Sequence, residues 1–321
     1  MNEQTALQHA LLEWFAANAR DLPWRRTRNP YHILVSEIML QQTQVDRVMP
    51  KYAAFLEQFP TVAALAAAST ADVIRAWQGL GYNRRAVNLQ RAAQALVAAG
   101  YPADQTAFPS TPEGLRQLPG IGAYTAGAVA CFAFERDVAF LDTNIRRVVR
   151  RTQVGPEDQP ASTNEAQLTT LAASLIPAGL GWTWNQAIME LGALICTAAR
   201  PQCWRCPARE QCAAYAAWRN ADTNLLEFAP PIVKIRRKAA EEPFHSSNRF
   251  FRGRIIEALR SLADDDAHTL AQLGPLVKDE WTTTDEPWLA KLAQGLANDG
   301  LLVWRNQLGE DVGAWSVALP Q

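Results

Sequence analysis

Four of the chain's five cysteines stand between positions 196 and 212, in the spacing Cys196-x6-Cys203-x2-Cys206-x5-Cys212. Four thiols in so short a segment must end on one compact loop, and the surrounding fold has to close around it. In a reducing compartment such a group more often binds metal than forms disulfides. Four thiolates suit a zinc ion or an iron–sulfur cluster. Structural zinc sites usually pair two Cys-x2-Cys knuckles, whereas only Cys203 and Cys206 make one here, and the uneven spacing favours [4Fe–4S] over zinc. Cys131 lies apart, in the apolar stretch AGAVACFAF, and reads as core.

At 321 residues the chain is long enough for two domains with cores of their own, so the cysteine loop need not staple the fold. The opening MNEQTALQHALLEWF lacks a basic start and a continuous apolar core, and no apolar run approaches the ~18 residues of a membrane span. A soluble, cytoplasmic protein with no membrane partner is expected. The net charge of −1 gives no global sign of nucleic-acid binding. Local groups say more: Arg25, Arg26 and Arg28; Arg84 and Arg85; Arg146, Arg147, Arg150 and Arg151. Each fits a solvated helix face as well as a phosphate contact.

Up to about residue 220 the pattern is helical, with Ala- and Leu-rich segments at 3–4 spacing broken by Pro, Gly and Asn. HILVSEIMLQQTQVDRVMPKYAAFLEQF, ADVIRAWQGLG and RRAVNLQRAAQALVAAG each read as a helix, the last two ending in Gly where a C-cap is wanted. Strand-like alternation is nearly absent, so residues 1–225 are expected to be an all-α domain. Residues 226–248, with a Pro pair, basic and small polar residues, read as a linker. Residues 249–321 read as three helices followed by two short strands, LLVW and AWSVAL, around the turn NQLGEDVG: a small winged-helix-like α+β domain.

Three places can carry chemistry. LPGIGAYTAGAVA follows a helix whose start is marked by Thr111 as N-cap and Pro112 as first helical residue. Gly120 and Gly122, flanking Ile121, allow a tight turn that leaves backbone amides bare, so the next helix can offer its positive N-terminus to a phosphate. Amides grip DNA without an excess of Lys or Arg, which accords with the neutral charge. A Gly-rich turn between packed core helices has the same pattern. Glu37 is the one charged residue in YHILVSEIMLQQ. Held among Ile33, Leu34, Ile38 and Leu40 it would be desolvated, as a general acid near pH 7 requires, although a helix has two faces and Glu37 can equally point to water. Asp142 opens DTNIRRVVRR and reads first as an N-cap; a carboxylate held by helix amides can also face a cation, with Asn144 to orient it.

SEIMLQQTQV, GLGY, LPGIGAYTAGA, LDTNIRRV, MELGALICT and the cysteine loop occur in the order found in the helix-hairpin-helix DNA glycosylases of the endonuclease III superfamily. Over about residues 10–220 the chain most closely resembles the MutY-type adenine DNA glycosylases. The resemblance implies a mainly α helix-hairpin-helix glycosylase fold, a [4Fe–4S] cluster on Cys196, Cys203, Cys206 and Cys212, and a monomer acting on double-stranded DNA that contains a mismatch. It implies removal of adenine paired with 8-oxoguanine or guanine, in base excision repair. Cutting an N-glycosidic bond needs a proton for the leaving base and stabilisation of an oxocarbenium-like sugar, hence two carboxyls in opposite protonation states. Glu37 matches the family's acid, which protonates adenine at N7, and Asp142 the carboxylate that stabilises or traps the sugar cation. Tyr124 and Asn144 match partners of that carboxylate. Glu190 matches the acceptor of the adenine amino group, and Trp24 and Arg25 the pocket for the flipped base. Gln42, Thr43, Leu80 and Tyr82 match residues that wedge into the duplex and touch the base left opposite, while Gly120, Ile121 and Gly122 match the DNA-gripping hairpin.

Bifunctional relatives carry a lysine where this chain has Tyr124, because a Schiff base needs an amine. Lys51 is the only lysine before residue 234, so base hydrolysis without lyase cleavage is expected. Two departures stand out. Asn83 replaces a second Tyr common in the family, and the short winged-helix-like tail, similar to that of some bacterial members, replaces a Nudix-like domain that recognises 8-oxoguanine. The nearest enzymatic rival is a thymine or uracil glycosylase for G·T or G·U mismatches. Glu190 and SEIMLQQTQV favour adenine, since a pyrimidine has no N7 and thymine no exocyclic amine. A non-catalytic iron–sulfur DNA-binding protein fits the cluster but leaves Glu37 and Asp142 without a purpose.

Overall fold

Side chains that can take up orphaned amides mark where the helices begin. Asp142 accepts from the Ile145 amide at 2.6 Å and Thr111 from the Gly114 amide at 3.2 Å, while Asn164 and Thr269 each form a reciprocal capping box with the Gln three residues on. A computed structural model describes residues 2–156, 163–221, 244–263, 266–307 and 309–321; the linker expected at 226–248 lies outside them as far as residue 243. In chain order come α1 (Glu3–Asn18), α2 (Pro30–Leu40), α3 (Val45–Gln58), α4 (Val62–Ala67), α5 (Thr70–Ala76), α6 (Arg84–Ala98), α7 (Pro112–Leu115) and α8 (Ala123–Phe134). Then follow α9 (Thr143–Gln153), α10 (Glu165–Ser174), α11 (Gly181–Leu194), α12 (Ala213–Ala221), α13 (Asn248–Arg260), β1 (His268–Thr269), α14 (Leu270–Val277), α15 (Glu286–Asn298), β2 (Val303–Asn306) and β3 (Ser316–Ala318). No helix among the described residues is long and apolar enough to cross a membrane.

The described residues form two compact units, one from Met1–Leu34, Pro109–Gln117 and Ile121–Arg237, the other from Val35–Phe108, Leu118–Gly120 and Lys238–Gln321. In the first, α11 packs against both α1 and α9. Leu7, Leu11 and Phe15 of α1, Ile145, Val148 and Val149 of α9 and Trp184, Ile188 and Leu191 of α11 are buried. α8 is apolar on nearly every side and buried from Thr125 to Phe132; Cys131 within it is fully buried, as core.

In the second unit the long helical pattern from His32 to Phe59 is interrupted between α2 and α3. The reason is Arg85 on α6. Its guanidinium donates to the carbonyls of Ile38 (2.8 Å), Met39 (3.1 Å) and Gln41, and to those of Leu80 and Gly81 (both 3.0 Å). Carbonyls at the end of α2 therefore find donors outside the helix, and the chain can turn at Gln42, whose φ is 55°. Burial pushes the Arg85 pKa down to about 10, against a smaller opposing effect of Tyr82, so it still carries its charge at neutral pH.

α13, α14 and α15 with a three-stranded antiparallel sheet of order β1-β3-β2 make the winged-helix arrangement. β1 was not legible in the sequence, being two residues that pair as His268 with Val317 and Thr269 with Ser316. This module shares a core with α5 and α6: Ala71, Ile74 and Val87 lie in one buried cluster with Ile255, Ile256, Leu289 and Val317. The Ala71 amide donates to the Pro320 carbonyl at 2.7 Å, and Arg260 donates to the Ile74 carbonyl at 3.1 Å and to Asn83 Oδ1 at 2.9 Å.

Arg85→Met should strip five carbonyls of a charged donor. Hydrogen bonds to charged groups contribute roughly 1.5–3 kcal/mol, and stranded buried carbonyls add to the loss. A fall of about 3 kcal/mol in urea unfolding is expected, with Arg85→Lys recovering little because an ammonium lacks the planar fork; a change below about 0.5 kcal/mol would contradict this role.

Candidate active site

The first unit holds Asp142, Asn144, Trp24, Arg25 and Glu190, with Asn144 against α11 and Arg25 on Glu190 of the same helix. Asp142 caps α9 through Oδ1, and its Oδ2 accepts from Asn144 Nδ2 at 3.0 Å. Asn144 is set against α11 at Gly192, where an added Cβ would stand 2.6 Å from the Asn144 Cβ, so only glycine permits this approach. Arg147, one turn along, donates to Asn144 Oδ1 at 2.8 Å and to the Cys196 carbonyl at 2.6 Å. The N-cap carboxylate and the start of the cysteine loop are thereby held by one side chain. Tyr124 is half-buried near the start of α8, its ring 5.7 Å from that of Phe140.

Glu190 is fully buried on α11. Its Oε1 accepts from the Arg20 amide at 2.9 Å and from Arg20 Nε at 2.8 Å; its Oε2 accepts from Arg20 Nη2 at 2.9 Å and Arg25 Nη2 at 2.8 Å. Arg25 also donates to Gln186 at 2.7 Å and follows the buried Trp24 in sequence. Burial works against ionisation of Glu190, but the hydrogen bonds from Arg20 and Arg25 outweigh it and bring its pKa down to about 2. Both oxygens of the predicted adenine acceptor are thus occupied by arginine.

The four cysteines of the loop line one cavity, together with Val148, Arg151, Leu191 and Trp218. Arg151, 1% exposed, donates to the carbonyls of Thr197 (2.7 Å) and Ala198 (2.8 Å), and its Nη1 lies 3.5 Å from Cys196 Sγ. Burial, reinforced by the neighbouring Cys196 and Cys212, pushes the Cys203 thiol up to about 12; burial raises Cys206 and Cys212 as well. Backbone amides of Ala208, Ala214 and Tyr215 point at the sulfurs of Cys206 and Cys212. Three thiols that resist ionisation alone, beside the Cys196 sulfur in one cavity and supplied with amide donors, fit a cationic inorganic core that would stabilise the set as thiolates. Among the described residues no three His, Cys, Asp or Glu side chains are arranged to hold a single metal ion.

The second unit holds Glu37, Gln42, Thr43, Leu80, Tyr82 and Gly120. Glu37 is 3% exposed, on the buried side of α2. Gln42 and Tyr82 are exposed, and with Glu135 they are the non-glycine residues of left-handed backbone among the described residues, at φ 55° and 47°. For a tyrosine that conformation is strained and persists only where surrounding structure imposes it. Leu80 is buried, and Thr43 Oγ1 accepts from Arg85 at 3.2 Å. Gly120 has φ 74°, and a Cβ there would meet Asn88 at 2.6 Å. Gly122 caps α8 without a side-chain hydrogen bond, and Ile121 is buried.

Residues 35–173 match the HhH-GPD superfamily of base excision DNA repair proteins. The adenine DNA glycosylase of Mycolicibacterium smegmatis is 41% identical over 295 residues, 91% of this chain and 89% of that protein. The chain belongs to the adenine DNA glycosylase family. Among solved structures, a thermostable thymine-DNA glycosylase matches with TM-score 0.60 and 29% identity, over 67% of this chain and 97% of that one. A non-covalent endonuclease III–DNA complex matches with TM-score 0.57 and 21% identity, over 69% of this chain and 100% of that one, which shows the shared fold.

Membership of the adenine glycosylase family does not by itself mark Arg20, Gln186, Arg85, Arg147 and Arg151, which sequence reasoning missed or left ambiguous. Each is a polar side chain with at least one partner more than 40 positions away, and no local pattern reports that. Ionisation of Glu190 gives the sharpest check. Its folded pKa of about 2 lies below the ordinary 4.5, so its stabilisation is complete above about pH 5 and is lost as pH falls through 2. At 1.36 kcal/mol per pKa unit this is on the order of 3 kcal/mol. The stability gap between the native chain and Glu190→Gln, measured by denaturant unfolding, should shrink steadily below pH 4.5; a gap independent of pH would refute the assignment.

Proposed function

We propose that the chain hydrolyses the N-glycosidic bond of adenine opposite 8-oxoguanine or guanine in double-stranded DNA, as a monofunctional, monomeric enzyme of base excision repair in the cytoplasm. The observation that carries this is the buried Glu37 within a chain so similar to adenine DNA glycosylases along its length. Desolvation favours the protonated form of a carboxyl, the state a general acid needs. Glu37 gives its proton to adenine N7, the C1′–N9 bond breaks with its electron pair leaving on the base, and water adds to C1′, giving its proton to the Glu37 carboxylate and restoring the acid. Asp142, pinned by the Ile145 amide and Asn144, faces the positive charge that develops on the sugar. Tyr124 stands where a lyase would need an amine, so the reaction ends with the base released.

Trp24 and Arg25 receive the flipped adenine. Glu190, held by Arg20 and Arg25, positions Arg25 and is the acceptor for the adenine amino group once base entry displaces one of those donors. Gln42, Thr43, Leu80 and Tyr82 meet the base left opposite, and the Gly120–Gly122 turn binds phosphate. Cys196, Cys203, Cys206 and Cys212 hold a [4Fe–4S] cluster, which organises the loop on α9 and takes no part in bond cleavage. The 29% likeness to a thymine-DNA glycosylase is the ground for a second reading, removal of thymine or uracil opposite guanine.

Single-turnover base release from A·8-oxoguanine, A·G, T·G and U·G duplexes decides between them. Adenine should be released from the first two without strand cleavage, and Glu37→Gln should slow release by about 10²-fold or more, the usual contribution of general acid catalysis. Thymine release without adenine release would overturn the reading. The purified protein should contain about four iron atoms per chain, as one cubane requires, and stoichiometric zinc in their place would remove the cluster.

A further inference from the structure

With a net charge of −1, the chain must concentrate any phosphate-binding surface locally. One place in the second unit does so. A groove of about 870 Å³ runs between the Gly79–Asn88 segment and α13 of the winged-helix module, lined by seven arginines against two carboxylates, Glu257 and Asp299. Some of these arginines are engaged internally: Arg85 on its carbonyls, Arg260 on Glu257 and Asn83, Arg252 on Asp299. Arg249 is exposed, and Arg254 is half-exposed and pairs with the exposed Asp279 at 2.9 Å.

Aromatic rings alternate with these cations. Arg249 donates to Tyr82 Oη at 2.9 Å, and its guanidinium stands 5.6 Å from the Tyr82 ring and 4.9 Å from that of Phe244. Phe244 meets Phe250 edge-on at 5.6 Å, and Arg254 lies 5.9 Å over Phe250. A cluster serving only to close a core would be buried, yet Tyr82 is 45% and Phe244 49% exposed. Exposed ring faces interleaved with guanidinium groups are the chemistry that holds unstacked bases and their phosphates. Gln42 and Tyr82, the left-handed pair, line the same groove.

We propose that this groove binds the DNA strand carrying the base opposite the excised adenine, with Arg249 and Arg254 on its phosphates and Tyr82 and Phe244 as stacking faces. The winged-helix module is then a second DNA-contacting element, fastened to the Tyr82 loop through Asn83 and Arg260. Only the naming of the strand rests on the adenine reading.

The test is binding of the full-length protein to a labelled A·G duplex, followed by anisotropy over a range of salt concentrations. Arg249→Ala/Arg254→Ala should weaken binding about tenfold and flatten the log–log salt slope by about 2, near 0.9 for each phosphate no longer neutralised, while Arg249→Lys/Arg254→Lys keeps the slope. The midpoint of thermal unfolding should stay within a few degrees of the native chain. Methylphosphonates in the opposite strand should weaken the native chain and leave the double Ala variant unaffected; in the adenine strand they should weaken both alike. An unchanged slope, or opposite-strand methylphosphonates that act equally on both proteins, would overturn the proposal. A flattened slope in the double Ala variant, with a native chain that releases no adenine, would keep the groove and sink the adenine reading; the converse would do the opposite.

Discussion

One helix of eleven residues, α9, ties together the features that make this chain chemically distinctive. Its N-cap is Asp142, and two of its arginines reach the cysteine loop, Arg147 through the Cys196 carbonyl and Arg151 through Thr197 and Ala198. A guanidinium can serve several carbonyls at once because its donors are planar and fixed. The loop's position and the orientation of Asn144 are therefore set by the same rigid element, and the close approach at Gly192 leaves little room for either to shift. Arg147 and Arg151 thus brace the cysteine loop on α9.

Arginine carries much of the interior polar structure. Arg85 takes the carbonyls that end α2, Arg20 and Arg25 neutralise the buried Glu190, and Arg151 lies almost wholly inside. A chain of near-zero net charge can still bind DNA if a few cations remain outside and the rest are absorbed by the fold. Arg249 and Arg254 of the α13 groove are cations that stay outside in this way.

The C-terminal tail is not an appendage to the second unit. Its apolar residues close over Ala71, Ile74 and Val87, and Arg260 occupies the side chain of Asn83. Asn83 and the tail are thus two halves of one contact, and the left-handed backbone of Tyr82 sits directly beside it.

The sequence alone determined the helical class, the caps at Thr111 and Asp142, the burial of Cys131, the cysteine loop and the family, because those depend on local periodicity, capping chemistry and fixed spacing. The three helices and the hairpin of the tail were legible for the same reason. Tertiary structure decided whether Glu37 faces core or water, which arginines are braces, where α2 stops, and that the tail shares a core with α5 and α6. Each of those is a choice between partners far apart in the chain: one side chain's burial or one guanidinium's bonds depend on what folding brings opposite it, and a local pattern is the same in either outcome.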